Sequence, residues 1–144
     1  MGTRSTIMFV QQWTGKNNEI YQKPLVNIYQ QYDGYINGVG YDLARWLLSK
    51  KICNGFNSET DKSYANGVGC LAAQFVRDFK NEIGGLYVTP MEDTENYNYK
   101  VIVDESKVGD LNYVSTITVT RFDDEEPIFV GTPSELLNFN EEEK

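Results

Sequence analysis

Asn37-Gly38-Val39-Gly40 and Asn66-Gly67-Val68-Gly69 are one tetrapeptide written twice, twenty-nine residues apart, and each leads into a stretch with helical periodicity. A helix start leaves several backbone N–H groups without partners and carries a partial positive charge. Glycine ahead of it lets the backbone approach a ligand closely and turn its amides toward an anion. Gly38, Val39, Gly40, Gly67, Val68 and Gly69 are therefore the candidate ligand-binding backbone, able to hold two phosphates, or a phosphate and a carboxylate. Aromatic residues crowd the first copy: Tyr29, Tyr32, Tyr35 and Tyr41, with Trp46 one turn on. Stacking of a base on such a ring contributes roughly 1–3 kcal/mol. Arg4, Arg45 or Arg77 can add a planar fork to a phosphate. The plainer reading of the same residues is capping and close packing, with the tyrosines as core residues that keep a wet hydroxyl. Neither copy is a Walker loop, because no Gly-Lys-Ser/Thr follows, and neither lies in the parallel βαβ unit of a dinucleotide fingerprint.

Catalytic chemistry is sparse. The chain has no histidine, which removes Ser-His-Asp and Cys-His nucleophile pairs and histidine-bearing metal sites. Cys53 and Cys70 have no base beside them in sequence and read as packing residues. Asp33, Asp42, Asp104 and Asp110 have no spacing that singles out an acid–base pair. Glu92-Asp93-Thr94-Glu95-Asn96 lacks the order of a calcium loop and reads as a solvated turn. The expectation is a binding protein without a metal or cofactor.

With 144 residues, 40% hydrophobic and 24% charged, the chain suits one domain that buries roughly two-thirds of its unfolded surface. No apolar run has the length of a membrane span, and no signal peptide is evident. The net charge of −8 argues against direct nucleic-acid binding. Residues 123–144 carry a net −7 and residues 1–122 a net −1. The acidity thus belongs to the last segment, read as a solubilising stretch. A single domain over residues 1–140 with an acidic tail over 141–144 follows.

The element order supports an α+β fold. Ile7-Met8-Phe9-Val10 reads as an interior strand within residues 3–13, and a second strand runs over about 19–32 with a kink at Pro24. A helix from about Gly40 to Lys51 places Asp42 in its first turn and Lys50 and Lys51 in its last. A second helix begins near Val68, with Ala72, Phe75, Val76 and Phe79 on one face and Gly84-Gly85 as its left-handed stop. Leu86 to Met91 is a short strand. Residues 97–104 alternate, with Tyr97, Tyr99, Val101 and Val103 on one face and Asn98, Lys100 and Asp104 on the other. Asn112 to Phe122 and Ile128-Phe129-Val130 are further strands. Thr132-Pro133-Ser134-Glu135 is a capping box that opens a short helix. Short connections predict a largely antiparallel sheet of five or six strands with both helices on one face.

Met1-Gly2-Thr3-Arg4-Ser5-Thr6, Gln31-Tyr32-Asp33-Gly34-Tyr35 and Asn66-Gly67-Val68-Gly69-Cys70-Leu71-Ala72-Ala73-Gln74 resemble motifs of a family of small bacterial and phage proteins. The similarity extends to Gly84-Gly85-Leu86-Tyr87 and covers about residues 1–104. The resemblance implies a phage or bacterial cytoplasmic protein and brings no activity with it. Two functions are compatible with it. One is a binder of a nucleotide-like small molecule at the glycine-led helix starts, sequestering a host defence signal. The other is an inhibitor or accessory factor that meets a host protein through its acidic end or a sheet edge. Homo-oligomerisation is compatible with either, though no residue specifies it.

Overall fold

The computed structural model describes residues 2–54, 63–92, 95–106 and 113–141. Its frame is a six-stranded sheet built on strand β1 (Ser5–Thr14). On one side β1 pairs antiparallel with β2 (Ile20–Gln30), which pairs antiparallel with β5 (Leu86–Thr89). On the other side β1 runs parallel to β6 (Tyr97–Asp104), followed by antiparallel β7 (Val114–Arg121) and β8 (Phe129–Gly131). The order is β5-β2-β1-β6-β7-β8. The α+β architecture expected of the sequence is the one observed, with one parallel pairing at its centre.

Register fixes the core. Ile28, Ile7, Tyr99, Val119 and Phe129 are successive cross-strand partners over five strands and form one buried row. Because side chains alternate along a strand, a one-residue slip would send that row to the opposite face. Helices α1 (Tyr41–Leu48) and α2 (Gly67–Phe79) close over it through Leu43, Leu47, Leu71 and Phe75. Phe75 packs on Phe9 of β1 at 5.5 Å and on Trp46 of α1 at 5.3 Å between ring centroids. The short α3 (Pro133–Leu137) buries Leu136 and starts with the expected capping box, Thr132 and Glu135 bonding each other's backbone N–H.

Local outcomes differ from the sequence reading for identifiable reasons. Helix α1 stops at Leu48. Lys51 instead opens β3 (Lys51–Cys53), which pairs parallel with β4 (Tyr64–Asn66) and buries Ile52. Three-residue strands fall below the reach of periodicity. Helix α2 ends at Phe79. Gly84 and Gly85, at φ of 80° and 77°, turn the chain into β5 instead of capping the helix. Asn98, on the face opposite Tyr97 and Tyr99, is buried as well.

The buried polar residues of the back face share one cause. β5 and β6 run parallel with β2 and β1 between them, and the described parts of their connection, 90–92 and 95–96, lie against that face. Asn27 Nδ2 donates to the carbonyls of Pro90 and Glu92, at 2.8 and 3.1 Å. Asn98 Nδ2 donates to the Glu95 carbonyl at 2.9 Å, and the Thr6 hydroxyl donates to Asn98 Oδ1 at 2.7 Å. The stretch read as a solvated turn is thus tied to the sheet at Glu92 and Glu95; Asp93 and Thr94 lie outside the described residues, as do Asp110 and Asn112. No helix among the described residues is long and apolar enough to cross a membrane.

Candidate functional site

The first glycine segment is held by the core row. The Tyr99 hydroxyl, fully buried, donates to the Gly34 carbonyl at 2.7 Å, and Gly34 N–H donates to Thr3 O at 2.9 Å. Between these anchors and α1, residues Ile36–Gly40 form a π-helical turn. A Cβ on Gly38 would stand 2.4 Å from the Asp33 carbonyl oxygen, so glycine is required there by close packing. The amides are paired within the protein. Gly38 and Gly40 N–H donate to Tyr35 O at 3.0 and 3.4 Å, and Val39 N–H donates to Asp33 O at 2.8 Å.

The second segment differs in conformation and in place. Gly67 has φ of 79°, which favours glycine. Val68 N–H at the start of α2 donates to Glu105 Oε2 at 2.8 Å, while Gln11 Nε2 donates to Glu105 Oε1 at 2.8 Å. This helix start therefore holds an anion, and the anion is the protein's own carboxylate, favourably placed against the helix dipole. Asn66 makes no side-chain cap bond; Glu105 takes that role across the sequence. Glu105→Ala is expected to cost about 1 kcal/mol, read as a lowered melting temperature with faster hydrogen exchange confined to the first turn of α2.

The two segments do not share a site. Gly34 is bonded beside the start of β1, at Thr3, and Glu105 N–H is bonded to Gln12 near its end. Ser5 and Gln12 are roughly 23 Å apart at the usual rise of a strand. Gly67, Val68 and Gly69 border a hollow of about 340 Å³ with Gln11, Glu105 and Tyr113. Tyr32 and Val39 border another, of about 240 Å³, with Asp33, Asp42 and Glu82.

A cavity of about 800 Å³ opens beside the first segment, lined by Tyr35, by Ile36 and Asn37 of the π turn, by Tyr41 of α1, and by Tyr97, Arg121, Asn140 and Glu141. Tyr97 and Arg121 are register partners of β6 and β7, at the end of the sheet beyond the Tyr99–Val119 pair. Arg121 Nη1 lies 2.8 Å from Glu141 Oε2 and its Nε lies 3.2 Å from Asp124 Oδ2. The Tyr97 hydroxyl donates to the Glu141 carboxylate at 2.8 Å. Tyr41 Oη donates to the Phe139 carbonyl at 2.6 Å, and Tyr35 Oη to Asp33 Oδ1 at 3.1 Å.

The electrostatics follow from these partners. Burial, and then the carboxylate of Glu141, push the Tyr97 phenol up to about 12. Its hydrogen bond to Asp33 raises the Tyr35 phenol, and Asp124 raises the Arg121 guanidinium. At neutral pH Tyr97 and Tyr35 are therefore hydrogen-bond donors beside the Arg121 cation, which is engaged by the Glu141 and Asp124 carboxylates.

Of the residues singled out from sequence, Tyr35 and Tyr41 among the aromatics and Asn37 of the first repeat line this cleft, whereas Gly38, Val39, Gly40, Tyr32, Arg4 and Arg45 do not. Arg45 lies over the Tyr41 ring at 5.8 Å and pairs with exposed Asp42 at 3.3 Å. The exposed Arg4 is held by its backbone, its N–H bonded to Asn96 Oδ1 at 3.1 Å. Arg77 pairs with Asp78 at 2.8 Å, and Trp46 Nε1 donates to the same carboxylate at 2.8 Å. Tyr97, Arg121 and Glu141 are the site residues that sequence reasoning passed over; the alternation of residues 97–104 placed Tyr97 on the buried face, but only strand register sets Arg121 opposite it. Among the described residues, no three acidic or cysteine side chains gather to hold a metal ion. Comparisons with protein-family models, curated proteins and solved structures found no match.

Proposed function

We propose that the protein is a binder of a small, nucleotide-like anion in the cleft between the first glycine segment and the ends of β6 and β7. The observation that carries this reading is Arg121, a planar donor fork set between tyrosine walls and already engaged with a carboxylate. A phosphate or carboxylate of the guest would take the guanidinium, and its ring would lie against Tyr35 or Tyr41. The glycine segment contributes shape instead of free amides: it sets Tyr35 and Asn37 into the wall. Binding of this kind suits sequestration of a cytoplasmic signal molecule, the role compatible with the family resemblance.

A thermal-shift screen of linear and cyclic nucleotides tests the reading. At least one is expected to raise the melting temperature, because a ligand at 100 times its Kd adds about 2.7 kcal/mol. Arg121→Gln should weaken that ligand at least about tenfold while Gly69→Ala, at a position with open space around it, leaves it unchanged. Absence of any shift at millimolar nucleotide would defeat the proposal.

A second reading, a protein partner added to a sheet edge, is favoured by the outer edge of β2. β5 covers only Asn27–Gln30 of that strand, and Ile20, Tyr21 and Trp13 are exposed at the hairpin end. Pro24 and the irregular register opposite Phe9 and Val10 blunt the same edge. Co-purification that is lost on Ile20→Lys and unaffected by Arg121→Gln would select this reading over the cleft.

A further inference from the structure

We infer that Glu141 is a built-in competitor for the cleft, occupying the anion position until a guest displaces it; the inference rests on the binding reading above. The segment after α3 is tied down just before the site. The Phe139 ring packs on Phe129 at 5.2 Å between centroids, and its carbonyl accepts from Tyr41 Oη. Two residues later, Glu141 reaches into the cleft and takes both of its principal donors, Arg121 Nη1 at 2.8 Å and Tyr97 Oη at 2.8 Å. The contact is sheltered, the Arg121 and Glu141 side chains being 33% and 21% exposed. A guest phosphate would need the same two donors, so guest and Glu141 exclude one another. Mass action then lowers apparent affinity by the fraction of molecules in which Glu141 has let go. This gives the first glutamate of the acidic Glu141-Glu142-Glu143 run a role in setting a concentration threshold for the guest.

The test uses AMP as probe and three full-length chains: wild type, Glu141→Gln and Glu141→Ala. Calorimetric titration is expected to show AMP binding about tenfold tighter in both variants than in wild type. Arg121, followed by mass spectrometry, should react faster with phenylglyoxal in the variants, a readout that needs no nucleotide. Equal AMP affinity in all three chains would overturn the competitor role and leave the cleft as a binding site. Equal Arg121 reactivity would overturn the contact itself. Failure of all three chains to take up AMP would overturn the competitor role, whereas the binding reading falls only if no nucleotide of the screen raises the melting temperature.

Discussion

Phe75→Ala is expected to cost about 4 kcal/mol of folding stability, a large share of the roughly 5–15 kcal/mol that keeps a domain folded. Phe75 is the buried ring on which three elements converge: Phe9 of β1, Trp46 of α1 and Phe79 of its own helix, at centroid separations of 5.5, 5.3 and 4.4 Å. Truncation removes ring burial and leaves a void bounded by a sheet that cannot collapse into it. Chemical denaturation with circular-dichroism detection gives the number directly. A loss below 1 kcal/mol would mean that the helices are not clamped to the sheet as described.

Asn27→Leu is expected to cost about 2 kcal/mol. Asn27 is fully buried, and its amide donates to two carbonyls of the segment crossing the back face. Leucine matches the volume but takes the side-chain donor from both carbonyls, leaving Pro90 O with only the Glu92 N–H at 2.8 Å. Its Oδ1 is buried without a protein partner, and losing that atom offsets part of the cost. Hydrogen exchange should rise at Glu92 and Glu95 while β6 and β7 stay protected. Unchanged protection there would show that the crossover is fastened by something other than Asn27.

These two positions also show what was legible in the sequence. Phe75 lies in a period of 3.6 with Ala72, Val76 and Phe79, so both its helix and its burial follow from spacing. Asn98 falls on the polar face of an alternating strand and Asn27 carries no signal of its own, because a residue string does not reveal which face a connecting segment will cross. The same gap separates the sequence-derived site from the observed one. The repeated Asn-Gly-Val-Gly segments were visible as helix starts, and both are. Whether their amides are free is a tertiary matter: Asp33 and Tyr35 take those of the first, and Glu105, thirty-seven residues from Val68, takes that of the second. Arg121 gave no local signal, since it becomes a cleft residue only through its pairing with Tyr97.

The acidic segment likewise divides once folded. Asp124 pairs with Arg121, Glu135 closes the capping box and Glu141 enters the cleft, whereas Asp123, Glu125 and Glu126 are exposed. Glu142 and Glu143 lie outside the described residues. Part of the charge that reads as solubilising is therefore used to position residues of the cleft.

The most direct measurement of where an anion binds is a proton–nitrogen correlation spectrum of the labelled protein titrated with AMP. The cleft account predicts saturable shifts centred on the amides of Asn37, Tyr41 and Tyr97 and on the Arg121 side chain, with Gly67 to Cys70 unmoved. Shifts centred on Gly67 to Cys70, or none at millimolar AMP, would contradict it.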